Sequence, residues 1–171
     1  DHVVIATGAS WRKDGLGRSH PFAYGASELQ GNILTPDDIM NGQIPRGHIV
    51  VYDDDSFYMG GLIAEKICLT GQQVTLVTPA DVVSAWCDYT SERFYVQKRL
   101  LELGVALQTG YQLESYNNQE VRIMNSYTDQ SRAISPDALV MVTSRQPNAS
   151  LSRALETPPQ APSAGGICSV P

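Results

Sequence analysis

The stretch HIVVYDDDSFYMGGLIAEKICLTGQQVTLVT, residues 48–78, decides the fold of this 171-residue chain. Its first apolar run, residues 49–52, predicts a buried strand, and a turn of three aspartates follows it. The segment from Tyr58 to Leu69 then places apolar residues at helical spacing, with Leu62 among those expected to face inward, and Gly71 suits the end of a helix. The closing run, QQVTLVT, predicts another strand. The stretch is therefore a β-α-β unit with two parallel strands.

The pattern of strands and helices continues on both sides of this unit. Downstream, a helix is predicted from Ser91 to Leu103 and a strand over VALQT. Three short alternating segments follow, YQLESY, EVRIMNSY and SRAI, and they predict an antiparallel meander. ALVMVTS predicts a fully buried strand, and ICSV a final short one. Upstream, Val3–Ala6 is predicted as a buried strand, and a short helix is predicted to begin at Pro36, with Thr35 as its N-cap and Gly42 at its end.

Composition excludes several classes of protein. The net charge of −6 and the absence of a basic cluster argue against a nucleic-acid-binding surface. No apolar run approaches the roughly 20 residues that a membrane-spanning helix needs. Cys68, Cys87 and Cys168 lie far apart and form no CxxC motif, so we expect neither disulfides nor zinc, and a cytoplasmic location. Both ends fall in or near predicted strands, which indicates a segment of a longer protein.

The turn after the first strand of the opening stretch is acidic where a phosphate-binding turn is rich in glycine. Glycines let backbone N–H groups approach a pyrophosphate at a helix N-terminus. Asp53 and Asp55 stand in the places of the first two glycines, Asp54 lies between them, and Gly60 or Gly61 stands for the third. A carboxylate about 6 Å from a phosphate charge costs roughly 2–3 kcal/mol at an effective dielectric of about 20. We therefore predict a degenerate phosphate turn that does not bind NAD(P)H.

Other interpretations of the aspartates remain open. Solvent-exposed carboxylates at the start of a helix favour the helix dipole. A cluster of carboxylate oxygens can instead hold Mg²⁺ or Ca²⁺, although we predict no metal site. Acidic residues after a first strand also resemble a receiver domain, which binds Mg²⁺. A receiver needs an aspartate after its third strand, and Gln108 and Thr109 stand there.

Three motifs resemble the dinucleotide domains of glutathione-reductase-like flavoproteins. DHVVIATGAS, residues 1–10, resembles the strand and ATG signature that leaves the FAD-type domain. DALVMVTSRQPNASL, residues 137–151, resembles the T-G-R-x-P-N crossing, with Ser144 in place of the glycine. GGICSV resembles the strand before the flavin-contacting Gly-Asp motif. The resemblance implies an α/β, Rossmann-like FAD/NAD(P)-binding fold with a central parallel sheet and a three-stranded antiparallel meander.

The same resemblance implies a domain organisation. Residues 1–44 would be the end of the first part of a discontinuous FAD-type domain plus a connection, residues 45–147 an NAD(P)-binding-like domain, and residues 148–171 the return towards the FAD-type domain. Thr7, Gly8 and Arg145 would then lie near an adenine nucleotide in the parent protein.

The segment VVYDDDSFYMGGLIAEKI, residues 50–67, is most similar to the C-terminal half of trimethylamine, dimethylamine and histamine dehydrogenases. These are NADH:flavin oxidoreductases of the old-yellow-enzyme type. The resemblance implies a parent flavoprotein whose TIM-barrel half carries FMN and a 4Fe-4S cluster, and which also holds ADP or FAD. It implies no cofactor and no catalytic residue in the present chain.

The resemblance also implies partners: the TIM-barrel half of the same chain and an electron-transfer flavoprotein. Trp86 and Tyr89, in an aromatic cluster with Phe94 and Tyr95, are candidate docking residues for that flavoprotein. Packing in the core and between domains is the alternative for this cluster. The alternative function is an active NAD(P)H-binding domain of a dienoyl-CoA-reductase-like flavoenzyme, which would require the glycines that the turn lacks.

Overall fold

The computed structural model describes residues 4–25 and 27–156. The chain divides into a main unit, Ser10–Gln146, and a terminal unit, Asp1–Ala9 with Pro147–Pro171. The strands are β1 (Ala9–Trp11), β2 (Leu29–Gln30), β3 (Ile33–Leu34), β4 (His48–Asp53), β5 (Gln73–Thr78), β6 (Ala106–Thr109), β7 (Tyr111–Asn117), β8 (Val121–Asn125), β9 (Ser131–Ile134), β10 (Ala138–Val142) and β11 (Arg145–Pro147). The helices are α1 (Pro36–Met40), α2 (Tyr58–Cys68), α3 (Arg93–Glu102) and α4 (Ser150–Glu156), with a 3₁₀ turn at Ala85–Asp88.

A five-stranded sheet with all strands parallel forms the centre of the main unit, in the order β3-β10-β4-β5-β6. β4 and β10 are adjacent and almost completely buried, which explains why they read as continuous apolar runs. Helix α2 connects β4 to β5, and α3 lies between β5 and β6 in the chain. The predicted β-α-β-α-β order and α/β class are confirmed.

The parallel sheet is covered on both faces. On one face, Ile49 and Val51 of β4 pack with Ile63 and Ile67 of α2. On the other face, Val50 and Tyr52 pack against the antiparallel strands through residues such as Leu113. Because successive strand residues point to opposite faces, one short run of β4 supplies both cores.

The predicted meander is confirmed: β7, β8 and β9 pair in antiparallel order. The short strand β2 joins them by pairing in parallel with β7, an addition that the sequence pattern did not predict. The predicted helix before β4 is also confirmed. Thr35 and Asp38 form a reciprocal capping box, with Pro36 in the first turn.

Helix α2 has the predicted bounds within one residue, but its inward face differs from the expected one. The prediction placed Leu62 inward, yet 43% of Leu62 is exposed. The buried face is Gly60, Ile63, Ala64 and Ile67, which follows the spacing i, i+3, i+4, i+7 of a helical stripe. Leu62 lies outside this stripe.

The chain ends also differ from expectation. Residues 4–6 form no strand, and Val4 is 89% exposed. In the terminal unit, Thr7 and Gly8 instead pair with Asn148, which donates its backbone N–H to the Gly8 carbonyl and its side-chain amide to the Thr7 carbonyl. Helix α4 was not predicted, and the predicted ICSV strand lies outside the described residues.

None of the helices in the described ranges has the length and apolar character that crossing a bilayer requires.

Candidate functional site at the acidic turn

A cleft of about 560 Å³ opens in the main unit beside the carboxyl ends of β4 and β10. The chain runs outward from β4 through β5 to β6 on one side, while β10 and β3 lie on the other. Ligands of parallel α/β sheets bind where the strand order reverses in this way. The residues that line the cleft include Gly17, Arg18, Asp55, Tyr58, Thr143 and Arg145.

Asp53 ends β4 and is completely buried. Its Oδ1 accepts a hydrogen bond of 2.9 Å from the backbone N–H of Ser56, whereas its Oδ2 has no partner among the described residues. Helix α2 comes close to the carboxylate at Gly60, where an added Cβ would lie 2.3 Å from Asp53 Cγ and Oδ2. Burial disfavours the charged form and raises the pKa of Asp53 to about 7.

Asp54 is also buried, at 1% exposure. Its carboxylate accepts the backbone N–H of Ser19, at 2.9 Å from Oδ2. A Cβ on Gly17 would lie 2.1 Å from the same oxygen, so only glycine leaves room for this contact. Asp54 therefore anchors the connecting segment between β1 and β2 to the end of the parallel sheet.

The backbone N–H groups of the turn are hydrogen-bonded inside the protein. The N–H groups of Asp54 and Asp55 both donate to the carbonyl of Val142, at 2.9 and 3.1 Å. The N–H of Ser56 donates to Asp53. A phosphate-binding turn would leave such groups free for the ligand. Here three consecutive ones already have an acceptor.

The prediction of solvent-exposed aspartates that favour the helix dipole is wrong for Asp53 and Asp54. Both side chains are buried, and the N-cap of α2 is Phe57, without a side-chain hydrogen bond to the helix. The reason lies in the partners: Ser19 and Ser56 supply N–H groups, while Gly17 and Gly60 supply space. These partners hold the Asp53 and Asp54 carboxylates in the protein interior rather than in solvent at the N-terminus of α2.

Asp55 is the turn carboxylate that faces the cleft. Partial burial raises its pKa, and the positive charges of Arg145 and Arg18 oppose this shift. Each arginine lies over a tryptophan ring, Arg18 at 4.9 Å from the centroid of Trp86 and Arg145 at 4.3 Å from that of Trp11. The cleft thus combines two cationic groups held on aromatic faces with one anionic group.

The metal interpretation of the acidic turn finds no support within residues 4–25 and 27–156. No group of three or more His, Cys, Asp and Glu side chains there is arranged to hold a metal ion. Asp53 and Asp54 turn their oxygens to different backbone N–H groups rather than to a common point.

Trp86 and Tyr89 form a stacked pair on the surface of the main unit, with ring centroids 5.6 Å apart. Tyr89 is 81% exposed and Trp86 39%. Phe94 and Tyr95, at the start of α3, are also exposed. These side chains therefore do not belong to the core of the main unit, whereas packing against another domain stays a prediction.

The residues predicted near an adenine nucleotide fall into different units. Thr7 and Gly8 belong to the terminal unit, where the Thr7 hydroxyl donates to the Asn148 carbonyl. Arg145 belongs to the main unit and lines the cleft. Sequence patterns did not single out Arg18, Gly17, Ser19 or Thr143 as site residues, because a contact such as Gly17 with Asp54 leaves no local signal.

Together, the parallel sheet, the meander and the acidic turn define an α/β domain whose turn N–H groups are hydrogen-bonded within the protein. Residues 34–143 match the family described as the OYE-like second alpha/beta domain, and the chain belongs to this family.

Similar proteins include amine-oxidising enzymes. Dimethylamine dehydrogenase from Hyphomicrobium sp. (strain x) is 33% identical over 105 residues, which cover 60% of this chain and 14% of that protein. The structure of histamine dehydrogenase from Rhizobium sp. 4-9 superposes with a TM-score of 0.83 at 36% identity, covering 88% of this chain and 24% of that one. The 6-hydroxypseudooxynicotine amine oxidase of Pseudomonas geniculata N1 gives 0.85 at 33% identity, covering 91% and 23%. This chain spans a quarter or less of each relative.

Proposed function

We propose that this domain belongs to an amine-dehydrogenase-like flavoprotein oxidoreductase, does not bind NAD(P)H, and serves as a scaffold and docking surface for electron transfer. The observation that carries the proposal is the acidic turn itself. The N–H groups of Asp54, Asp55 and Ser56 donate to acceptors within the protein, so a diphosphate would have to break these hydrogen bonds. It would also face Asp55 directly.

The rest of the proposal concerns the protein in which such a domain works. From the related dehydrogenases we propose that FMN, a 4Fe-4S cluster, and ADP or FAD lie elsewhere in the same protein. The first partner of this domain would then be a TIM-barrel half of that protein. We also propose a cytoplasmic location. Two polar groups that were expected near a nucleotide already have hydrogen-bond partners within the chain. The Thr7 hydroxyl donates to the Asn148 carbonyl, and the Gly8 carbonyl accepts the Asn148 N–H. We therefore assign none of these cofactors to this chain, and no catalytic residue.

Titration of the chain with NADH tests the first part of the proposal. We expect no saturable binding below about 100 µM. The reason is that roughly 2–3 kcal/mol of repulsion from each nearby carboxylate would remove much of the about 8 kcal/mol that micromolar binding represents. Calorimetry at moderate ionic strength measures this directly. A saturable heat with a dissociation constant below about 100 µM would contradict the proposal and favour the alternative, an active NAD(P)H-binding domain.

The receiver alternative is wrong, because the chain belongs to a different family and carries the meander described above. The NAD(P)H-binding alternative has one feature in its favour, namely the cleft at the carboxyl ends of β4 and β10. The hydrogen bonds of the turn argue against it.

Docking through the aromatic pair is the second part of the proposal. Exposed, stacked aromatic rings are typical of interface hot spots. In the whole flavoprotein, we expect Tyr89→Ala or Trp86→Ala to slow reduction of an electron-transfer flavoprotein by roughly tenfold, since truncating a hot-spot residue costs about 1–2 kcal/mol or more. Substrate-driven reduction of the enzyme's own flavin should remain unchanged.

Tyr127→Ala is a matched control for the docking test, because Tyr127 is 74% exposed but belongs to the turn after β8. Stopped-flow measurement of carrier reduction compares the three variants with the unmodified protein. Equal rates for Trp86→Ala, Tyr89→Ala and the unmodified protein would show that this surface does not dock the carrier.

A further inference from the structure

The cleft beside the acidic turn keeps cationic groups that the proposed function does not use. Arg18 and Arg145 line it, and each guanidinium lies over a tryptophan ring, which restricts its position. Neither arginine has an ion pair within 4.0 Å in the described part of the chain. Two guanidiniums fixed beside an open cleft are the usual means of binding a planar anion.

Thr143 adds an unused hydrogen-bonding group to the same cleft. The residue is only 2% exposed, and its Oγ1 has no partner among the described residues. Buried polar groups nearly always have a partner, so this hydroxyl is a hydrogen-bonding group that a ligand in the cleft can engage. The first turn of α2, which begins at Tyr58 and has no side-chain cap, borders the cleft as well.

We propose that this cleft binds a small organic carboxylate between Arg18 and Arg145, and that Asp55 excludes anions of higher charge. Two guanidiniums and the Asp55 carboxylate leave one net positive charge at the cleft, which a single carboxylate neutralises. A phosphate dianion would leave an excess negative charge next to Asp55. The inference goes beyond the proposed function, since it assigns a ligand to a domain proposed to have lost its cofactor.

The two tryptophans of the chain report on this site directly, because Trp11 and Trp86 each lie beneath one of the two arginines. Their indole N–H signals can be followed by NMR in the full 171-residue chain. Sodium acetate is titrated at pH 8 with sodium chloride adjusted to keep the ionic strength constant. We expect saturable shifts of both indole signals with acetate, and no saturation with inorganic phosphate, which is mainly a dianion at this pH.

Variants separate a specific site from general charge attraction. Arg145→Gln should weaken acetate binding by roughly tenfold or more, because it removes charged hydrogen bonds to the ligand. Arg18→Gln should do the same and provides an independent variant. Arg132→Gln is the matched control, since Arg132 also lies over an aromatic ring, at 5.0 Å from the centroid of Tyr111, but in the meander. It should bind acetate as the unmodified chain does.

Asp55→Asn tests whether the Asp55 carboxylate excludes anions of higher charge from the cleft. It should strengthen phosphate binding by roughly tenfold or more, by removing the nearest repelling charge. Asp129→Asn, in an exposed turn, should not. The inference is wrong if acetate gives no saturable shift, or if both arginine variants bind acetate as tightly as the unmodified chain does. It is also wrong if the unmodified chain binds phosphate as tightly as acetate. Saturable NADH binding would overturn the proposed function instead, whether or not acetate binds.

Discussion

Asp53→Asn is expected to raise the free energy of unfolding at pH 8 by roughly 2–4 kcal/mol. The folded protein raises the pKa of Asp53 from 3.8 to about 7, chiefly by burial. Above pH 7 the folded state must hold a buried carboxylate with one unpartnered oxygen, whereas the unfolded state exposes it to water. Asparagine keeps the acceptor for the Ser56 N–H and carries no charge. The asparagine amide, however, introduces an unpartnered N–H. The gain in the free energy of unfolding therefore stays below the value that the full pKa shift of Asp53 represents.

The pH dependence gives the sharper test of the buried carboxylate. A raised pKa means that the folded state holds the proton more tightly, so stability falls as pH rises from about 4 to about 7 and is constant beyond. Below pH 4, Asp53 is protonated in both states and no penalty remains. Urea denaturation at pH 4.5 and pH 8 should show a gap between Asp53→Asn and the unmodified chain that widens with pH. The raised pKa of Asp55 acts in both proteins and cancels.

Asp129→Asn is the control, because Asp129 is exposed in the turn between β8 and β9. It should change stability by less than about 0.5 kcal/mol at either pH. A gap between Asp53→Asn and the unmodified chain that stayed constant from pH 4.5 to pH 8 would show that Asp53 is not titrating as a buried acid.

Gly60→Ala is expected to lower the free energy of unfolding by roughly 2–4 kcal/mol. Replacing a glycine inside a helix by alanine ordinarily stabilises a protein by about 1 kcal/mol. Here the new Cβ would lie 2.3 Å from the Asp53 carboxylate, and neither β4 nor the buried side chain can move away easily. The helix must shift off the sheet, which loosens the packing of Ile63 and Ala64. Thermal or urea denaturation measures the loss.

Gly25→Ala serves as the comparison, because its nearest neighbour would be the flexible end of Glu28 at 3.3 Å. A double variant identifies the cause: in an Asp53→Ala background, Gly60→Ala should cost at least 1 kcal/mol less than it does alone. If Gly60→Ala is neutral, or if the background makes no difference, the close contact between α2 and Asp53 is not what restricts position 60.

The sequence predicted the parts of the fold whose signals are local. β4, β5 and β10 were predicted from short apolar runs, α2 and α3 from apolar residues at helical spacing, and the meander from alternating segments. Turn residues such as Gly71 mark where these elements end. The strand expected at residues 4–6 was wrong: an apolar run shows that a segment can be buried, but not where its partner strand lies. α4 was missed because it is short and lies in a segment interpreted from a motif.

The candidate site was predictable in composition but not in conformation. Three aspartates after β4 indicated a turn unsuited to phosphate, and this inference needs only their charge. The burial of Asp54 depends on Gly17 and Ser19, more than 30 residues earlier in the chain, which meet Asp54 only in three dimensions. Arg18 was not singled out for the same reason, since the segment that contains it has no periodic pattern. Folding alone brings these loops to the carboxyl end of the sheet.

The pairing of each buried carboxylate with a glycine from elsewhere in the chain limits how this domain can change. Placing glycine at positions 53–55 would leave voids beside Gly17 and Gly60 and would free the segment that Ser19 attaches to the sheet. Changing this turn into one that binds phosphate would thus require coordinated substitutions at separate loops, each unfavourable when made alone. Epistasis of this kind restricts which single substitutions the turn accepts.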